Sequence, residues 1–198
     1  RRIRLYGEKL RPFIEEYGLL RRGQDLRIPQ SLWTAPRDAA AAYVKSLFQA
    51  DGYAAVHAPS THVAFAVTSK AWAEDVQRFL PRFGIYARLR QKRERRPNRY
   101  DMWELDISIR SEREAFQRSI GFISERKNAK LRESLGLPGK RCPDVRYSTI
   151  VSIEPIGEMD VYDLQTTSGC YLTNSVLVHN CFILSVDDTM DSILEWYR

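Results

Sequence analysis

Between residues 34 and 136, helical and alternating patterns follow one another in the order helix, two strands, helix, two strands, helices. Residues 1–22 read as a basic amphipathic helix ending near Gly18 to Gly23, and Leu26 to Pro29 as extended chain. Thr34 can cap the next helix with Pro36 in its first turn, and residues 39–50 continue it. Asp51-Gly52 stops that helix and turns the chain. Residues 53–57 and 62–68 alternate as two strands joined through Ala58-Pro59-Ser60. Ser69 opens a helix to about Leu80, with Gly84 beyond its end. Residues 86–93 and 100–109 form a second strand pair around a Pro-Asn turn. Ser111-Glu112-Arg113-Glu114 has the form of a capping box, opening a helix that ends at Gly121. A last helix runs from about Ser124 to Leu135 and stops at Gly136. The pattern predicts one α+β unit of about a hundred residues.

The character changes after residues 137–143, a linker by composition. Residues 148–157, 160–166, 170–173 and 175–178 are short β-branched runs separated by Gly, Asn and Ser, so this segment reads as all-β. From Ser185 the chain turns acidic and leads into an amphipathic helix over 190–198 that breaks off unfinished. With 198 residues, 43% hydrophobic and 11% aromatic, the chain has enough apolar material for a core. No apolar run approaches the ~20 residues of a membrane helix, so no membrane partner is expected. No signal-like stretch follows Arg1, and there is no initiator Met; both fit a fragment or a processed piece. Cys142, Cys170 and Cys181 form no CxxC pair, which fits a reducing cytoplasm.

The formal net charge of +6 is concentrated: residues 82–99 hold eight Lys/Arg against Glu94 alone. A basic segment on an otherwise nearly neutral chain points to a polyanion, most simply nucleic acid; a solvated basic loop is the plainer alternative.

Within residues 39–50, Ala39, Ala42, Ser46 and Ala50 recur at spacings of three and four, a small-residue stripe that lets a second helix approach closely. Asp51 then stands at the helix C-terminus, where a carboxylate is unfavourable for the dipole unless a cation offsets it. Two such helices side by side would bring two carboxylates together, a geometry suited to Mg²⁺-assisted phosphodiester hydrolysis. On spacing alone, an Asp-Gly turn after a buried helix is the simpler reading.

Val44-Lys45-Ser46-Leu47-Phe48-Gln49-Ala50-Asp51-Gly52 resembles the signature of LAGLIDADG homing endonucleases. Arg27-Ile28-Pro29 is similar to the Lys-x-Ile-Pro segment before the second motif of intein endonucleases, and 121–135 resembles the closing block. The resemblance covers roughly residues 20–136. It implies an αββαββα subunit with a saddle-shaped antiparallel sheet laid on double-stranded DNA, with Asp51 as the catalytic and metal-binding acid for Mg²⁺. Arg88, Arg90 and Lys92 would share one strand face toward the DNA, with Arg93, Arg95 and Arg96 beside them. Gln49 replaces the family's first aspartate, and Arg27 replaces a lysine. A monomeric enzyme of this type needs two motifs, so the first is expected upstream of Arg1.

Val178-His179-Asn180-Cys181 carries a different chemistry. An Asn side-chain amide can attack its own backbone carbonyl, form a succinimide and cut the chain after itself; an adjacent His can polarise that carbonyl or protonate the leaving amine. A Cys after the Asn can attack a thioester elsewhere. With Val161-Tyr162-Asp163-Leu164 and Tyr171-Leu172-Thr173-Asn174 upstream, the stretch resembles the C-terminal splicing blocks of an intein, the end of an all-β Hint domain. That resemblance implies cyclisation by Asn180 with help from His179, transesterification by Cys181 as first residue of the C-extein, and an acidic role for Asp163. No cofactor is implied for splicing.

Residues 181–193 resemble the large subunit of ribonucleotide reductase, most closely the adenosylcobalamin-dependent kind, which reduces ribonucleotides to deoxyribonucleotides. Cys181 would then be one of its redox cysteines after ligation. The expected parts are the end of a preceding endonuclease half and connector (1–29), the second endonuclease subunit (30–137), the C-terminal splicing segment (138–180) and the start of the C-extein (181–198). The partners implied are DNA at the intein insertion site and the N-terminal intein half with its N-extein. The alternatives are a free-standing LAGLIDADG endonuclease or maturase, and a catalytically decayed DNA-binding module.

Overall fold

In the computed structural model the described residues are 8–57, 60–93, 101–137, 147, 149–162, 164–173 and 176–179. The chain divides into two compact units, Arg1–Tyr147 and Ser148–Arg198.

The first unit begins with a 3-10 turn, Glu8–Leu10, and a short helix α1, Arg11–Glu16. The expected helix over 1–22 is therefore shorter where it is described: Tyr17 closes α1, and Gly18 at φ +59° turns the chain away. Helix α2 is Gln30–Trp33 and α3 is Arg37–Asp51. Thr34 does not cap α3. It terminates α2 instead, and its Oγ1 donates to Ser31 O at 3.4 Å, while Pro36 takes the N-cap position. Ala40, Val44 and Phe48, four residues apart, form the buried face of α3.

Strand β1 (Gly52–His57) leaves α3 directly. A Cβ on Gly52 would sit 2.6 Å from Phe48 O and 2.8 Å from Phe48 Cα. Only glycine permits the strand to start so close to the helix it leaves. Strand β2 is Ser60–Val67. Helix α4 (Lys70–Phe79) is capped by Ser69, whose Oγ accepts from Trp72 N, and the 3-10 turn after it ends on Gly84 at φ +75°. Strands β3 (Arg88–Lys92) and β4 (Met102–Ile107) are shorter than the sequence pattern predicts. All pairs are antiparallel, in the order β1-β2-β4-β3.

Register fixes the two sheet faces. Val63, Phe65, Leu105 and Ile107 are fully buried against the helices. There the Phe48 ring meets Phe65 at 5.3 Å and Phe116 at 4.9 Å. The alternate positions form the opposite face, which carries the site described below.

Helix α5 (Arg110–Ser119) and α6 (Glu125–Gly136) follow. The expected capping box does not form. Ile109 is the N-cap, so Ser111 lies one residue inside the helix, and Glu114 pairs with Arg110 at 3.1 Å. Glu112 is buried and accepts from Tyr86 N at 3.1 Å, a long-range bond that sets where the helix begins.

Arg113 is fully buried between α5 and α6; its Nη1 donates to Ser134 O at 2.6 Å, while Nε and Nη2 have no hydrogen-bond partner among the described residues. Burial, reinforced by Arg110, pulls its pKa below the usual arginine value. A buried charge with so little compensation costs stability. Arg113→Met keeps the volume and removes the charge, and is expected to leave the urea midpoint unchanged or higher. Arg113→Ala leaves a cavity and should lower stability by ~2–4 kcal/mol. A midpoint that falls equally in both would show that the charge itself stabilises.

In the second unit, β5 (Cys170–Thr173) and β6 (Val176–His179) form an antiparallel hairpin. The runs expected as strands over 149–162 and 164–166 are not strands. Among the described residues they join no sheet, and Val151 is 95% exposed, Tyr162 88% and Val161 86%. A β-branched run becomes a strand only when another edge takes up its N–H and C=O groups. The helix expected over 190–198 lies outside the described residues.

Candidate functional site

The outward sheet face is built from alternate residues of four strands. Register sets Tyr53 opposite Ala64, Ala64 opposite Asp106, Ala66 opposite Glu104, Arg88 opposite Asp106 and Arg90 opposite Glu104. His57, His62 and Lys92 lie on the same face by the same alternation. Arg88, Arg90 and Lys92 thus share one face, as the sequence predicts, and all three are exposed. Arg93 lies just beyond β3 and is exposed. Arg95 and Arg96 lie outside the described residues.

The sequence reading missed the acids among these cations. Glu104 and Asp106 are buried, with side chains 8% and 10% exposed. Arg90 Nη2 lies 3.2 Å from Asp106 Oδ2 and 3.5 Å from Glu104 Oε1, and Lys92 Nζ lies 3.5 Å from Glu104 Oε2. Tyr53 Oη donates to Glu104 Oε2 at 2.8 Å, and its ring meets His62 edge-on at 5.8 Å. The signal was present in the sequence, since Glu104 and Asp106 alternate with buried Leu105 and Ile107.

This network pushes the Tyr53 pKa up from 10.0 to about 12, first by burial, then by the bond to Glu104 and the charges of Glu104 and Asp106, with Arg90 opposing. The folded state therefore holds the phenol proton more tightly than the unfolded chain. That contribution is fully present below pH 10 and is lost as pH rises toward 12. Urea unfolding between pH 9 and 11.5 should show stability falling more steeply in the wild type than in Tyr53→Phe. Equal slopes would mean that Tyr53 ionises normally.

Asp51 is the last residue of α3 and is exposed. The carbonyls at that helix end are held by a residue the sequence did not reveal: Lys127 Nζ donates to Gln49 O and Gly52 O at 2.6 Å each and to Phe48 O at 3.3 Å. Burial lowers the Lys127 pKa, Arg126 adds to this, and Asp51 opposes it. The Gln49 side chain accepts from Ile123 N at 3.1 Å and Ser124 N at 2.9 Å, tying α3 to the start of α6. Arg82 belongs to the basic segment but is also structural, donating to the carbonyls of Leu32, Trp33 and Ala35 at 2.8–3.2 Å.

Ala39, Ala42, Ser46 and Ala50 are all exposed, on the side of α3 away from Ala40, Val44 and Phe48. Among the described residues no group of three or more His, Cys, Asp or Glu side chains gathers to hold a metal ion. Mg²⁺ takes six oxygens in octahedral geometry, so Asp51 alone does not make the expected metal site. A cavity of about 500 Å³ is lined by Glu15, Tyr17, Arg21, Arg27, Trp33 and Asp75, and none of the expected site residues borders it.

The family model described as a LAGLIDADG-like domain matches residues 38–121. This segment is similar to a LAGLIDADG-like domain. It spans α3 through α5, and so includes Asp51 and every strand of the outward face. Three relatives resemble the chain. A glutamine–fructose-6-phosphate aminotransferase (isomerizing) of Methanocaldococcus jannaschii is 30% identical over 105 residues, 53% of this chain and 9% of that protein. A replication factor C small subunit of the same organism is 35% identical over 122 residues, 61% of this chain and 6% of that protein. A DNA polymerase of Thermococcus hydrothermalis is 26% identical over 164 residues, 78% of this chain and 10% of that protein. The chain thus matches a tenth or less of the length of these relatives.

In the second unit, His179 is the last residue of β6 and is exposed, with Cys170 directly opposite it on β5. Cys170 O accepts from Thr166 Oγ1 at 2.9 Å and Ser168 Oγ at 3.0 Å, which fixes that end of the hairpin. Asp163, Asn180 and Cys181 lie outside the described residues. No helix among the described residues is long and apolar enough to cross a membrane.

Proposed function

We propose that the LAGLIDADG-like domain is one subunit of a site-specific DNA homing endonuclease, embedded in an intein whose C-terminal splicing segment follows it. The observation that carries the endonuclease part is the four-stranded sheet with one face sealed by helices and the other presenting Arg88, Arg90 and Lys92 in alternation. A twisted antiparallel surface of this kind can enter the major groove, and the cations supply affinity for phosphate. Asp51, at the end of a helix whose opposite side is a bare stripe of small residues, is the proposed catalytic acid. A second such helix packed on that stripe would bring a second acid beside it, and the pair would hold Mg²⁺. The second subunit belongs to the preceding half of the protein.

Three observations support the intein part. The relatives are named for unrelated activities, yet each resembles this chain over a stretch that is a tenth or less of its length. A shared module inserted in unrelated hosts has that distribution. The second unit separates from the nuclease unit at Tyr147. It also exposes Ile150, Val151, Ile153, Val161 and Tyr162, as a β segment does when the strands that complete its domain come from elsewhere. The N-terminal intein half supplies those strands. Asn180 then cyclises with help from His179, Cys181 is the transesterification nucleophile, Asp163 tunes the cysteine steps, and residues 181–198 begin a host of the adenosylcobalamin-dependent ribonucleotide reductase type.

The deciding experiment offers the endonuclease, with its preceding half, a duplex in which the host coding sequence is uninterrupted at the Asn180/Cys181 junction. Cleavage near that point in magnesium is expected. Binding without cleavage would favour the decayed DNA-binding module, and neither would remove the endonuclease altogether.

A further inference from the structure

Three cations alternate along β3, but their charges are not equally available. Arg90 Nη2 lies 3.2 Å from Asp106 and 3.5 Å from Glu104, and Lys92 Nζ lies 3.5 Å from Glu104. Arg88 stands directly opposite Asp106 in the register, yet it makes no ion pair among the described residues. Two cations therefore face two carboxylates, and their charges balance.

The two acids are buried in place, with side chains 8% and 10% exposed. A carboxylate taken out of water needs a cation or donors beside it. Glu104 has Tyr53 Oη at 2.8 Å as well as the two cations. Asp106 Oδ1 has no hydrogen-bond partner among the described residues, so Arg90 is the main compensation for that carboxylate. The core does not depend on these acids, because Leu105 and Ile107 fill it from the other side of β4. An uncharged residue at either position would avoid the desolvation cost altogether.

The acids do have an electrostatic consequence for anything anionic on this face. A phosphate that approaches Arg90 or Lys92 meets a carboxylate within a few ångströms, well inside the screening length at physiological salt. If it draws the cation away, a buried carboxylate loses its compensation. A cation held in this way displaces few counterions from DNA, and displaced counterions are the main source of non-specific affinity.

Resting on the proposal that this face binds DNA, we propose that Glu104 and Asp106 are affinity-restraining residues. They hold the charge of Arg90 and Lys92 back from phosphate and keep the grip on unrelated duplex weak. Arg88 and Arg93, which no acid holds among the described residues, supply the backbone contacts of β3. Discrimination between sites depends on the ratio of specific to non-specific affinity, and the restraint lowers the second term.

The test is salt titration of binding to a duplex of random sequence with the full 198-residue chain. Arg88→Ala should weaken binding and reduce the slope of log K against log salt by about one. Glu104→Gln and Asp106→Asn should each tighten binding and steepen the slope by about one, and the double variant by about two. At 0.1 M salt the double variant should bind about tenfold or more tightly. Thermal melts check that each variant is folded, and the two single variants carry the test if the double variant is not. Lys92→Gln should reduce the slope by about one in the Glu104→Gln background and by clearly less in the wild type. Acids with a purely structural role would move the melting temperature and leave the slopes alone, and that result overturns the proposal. So does a Lys92→Gln effect of equal size in both backgrounds, which would place Lys92 on a phosphate already. If neither the wild type nor any variant binds duplex, the DNA-binding role of the face falls, and this proposal with it. If Arg88→Ala lowers the slope and the acid variants do not raise it, the face binds DNA and only the restraint is wrong.

Discussion

Asp51→Asn is expected to abolish DNA cleavage in magnesium while changing the protein's stability by ~1 kcal/mol at most. The two effects have one origin. Asp51 is an exposed carboxylate at the C-terminal end of a 15-residue helix, where the unsatisfied carbonyls already carry partial negative charge. Removing its charge relieves that repulsion but also takes away the charge that favours the Lys127 ammonium at the same helix end, so the net change should stay within ~1 kcal/mol. Cleavage should respond far more strongly. A carboxylate that holds a catalytic metal accounts for several kcal/mol of barrier lowering, so its loss should slow cleavage by about a thousandfold or more. Affinity for the duplex should change little, because the cations of β3 remain.

The neighbouring Gln49 provides the contrast. It accepts two backbone N–H groups at the start of α6, so Gln49→Ala should lower stability by ~1–2 kcal/mol while a folded protein still cleaves. Cleavage rates on the uninterrupted host site, measured beside thermal melts, separate the two residues. An Asp51→Asn protein that cuts like the wild type would remove Asp51 from the active site.

Much of the first unit was legible because its decisive signals are local. Ser69 caps α4 and Gly84 ends the turn behind it, each through chemistry within a few residues. Asp51-Gly52 marked the helix end, and the close approach of Gly52 to Phe48 shows why the glycine is there. Where a distant partner intervened, the local signal failed. Ser111 and Glu114 have capping-box spacing, but Glu112 is claimed by Tyr86 N, 26 residues away in sequence. Lys127 and Arg82 hold helix-end carbonyls across separations of 47–79 residues, which no linear pattern displays. The alternation of β3 put Arg88, Arg90 and Lys92 on one face correctly. It did not reveal that Glu104 and Asp106 lie under two of them, because strand register is set by the whole sheet. Beyond Tyr147 the runs over 149–162 and 164–166 carry strand composition but join no sheet among the described residues, since a strand needs an edge to take up its N–H and C=O groups.

On the proposed splicing role, the wild-type chain is expected to undergo a slow self-cleavage that Asn180→Ala stops. In that reaction Asn180 Nδ2 attacks the Asn180 carbonyl carbon, the peptide bond to Cys181 breaks, and the departing nitrogen takes up a proton. The products are a C-terminal succinimide and an 18-residue peptide, 181–198, with a free N-terminal cysteine. Poor polarisation of the carbonyl and a reluctant leaving amine make the reaction slow in an unstructured chain. In the proposed role His179, the residue before Asn180, relieves one of these, and a well-placed general acid or base is worth ~10²–10⁴-fold. Its own placement rests on β6, where it is the last strand residue, opposite Cys170.

The wild type should therefore lose the mass of residues 181–198 over days at neutral pH. His179→Ala should do so at least about a hundredfold more slowly, and Asn180→Ala not at all. Cys181→Ser should still cleave, because that residue is only the leaving amine in this step. Intact-mass spectrometry over a time course distinguishes all four. Equal decay of Asn180→Ala and wild type would identify the loss as proteolysis and remove the splicing role of the His179-Asn180-Cys181 stretch. Loss in the wild type alone would establish that the second unit keeps one half-reaction of splicing without the strands that complete its domain.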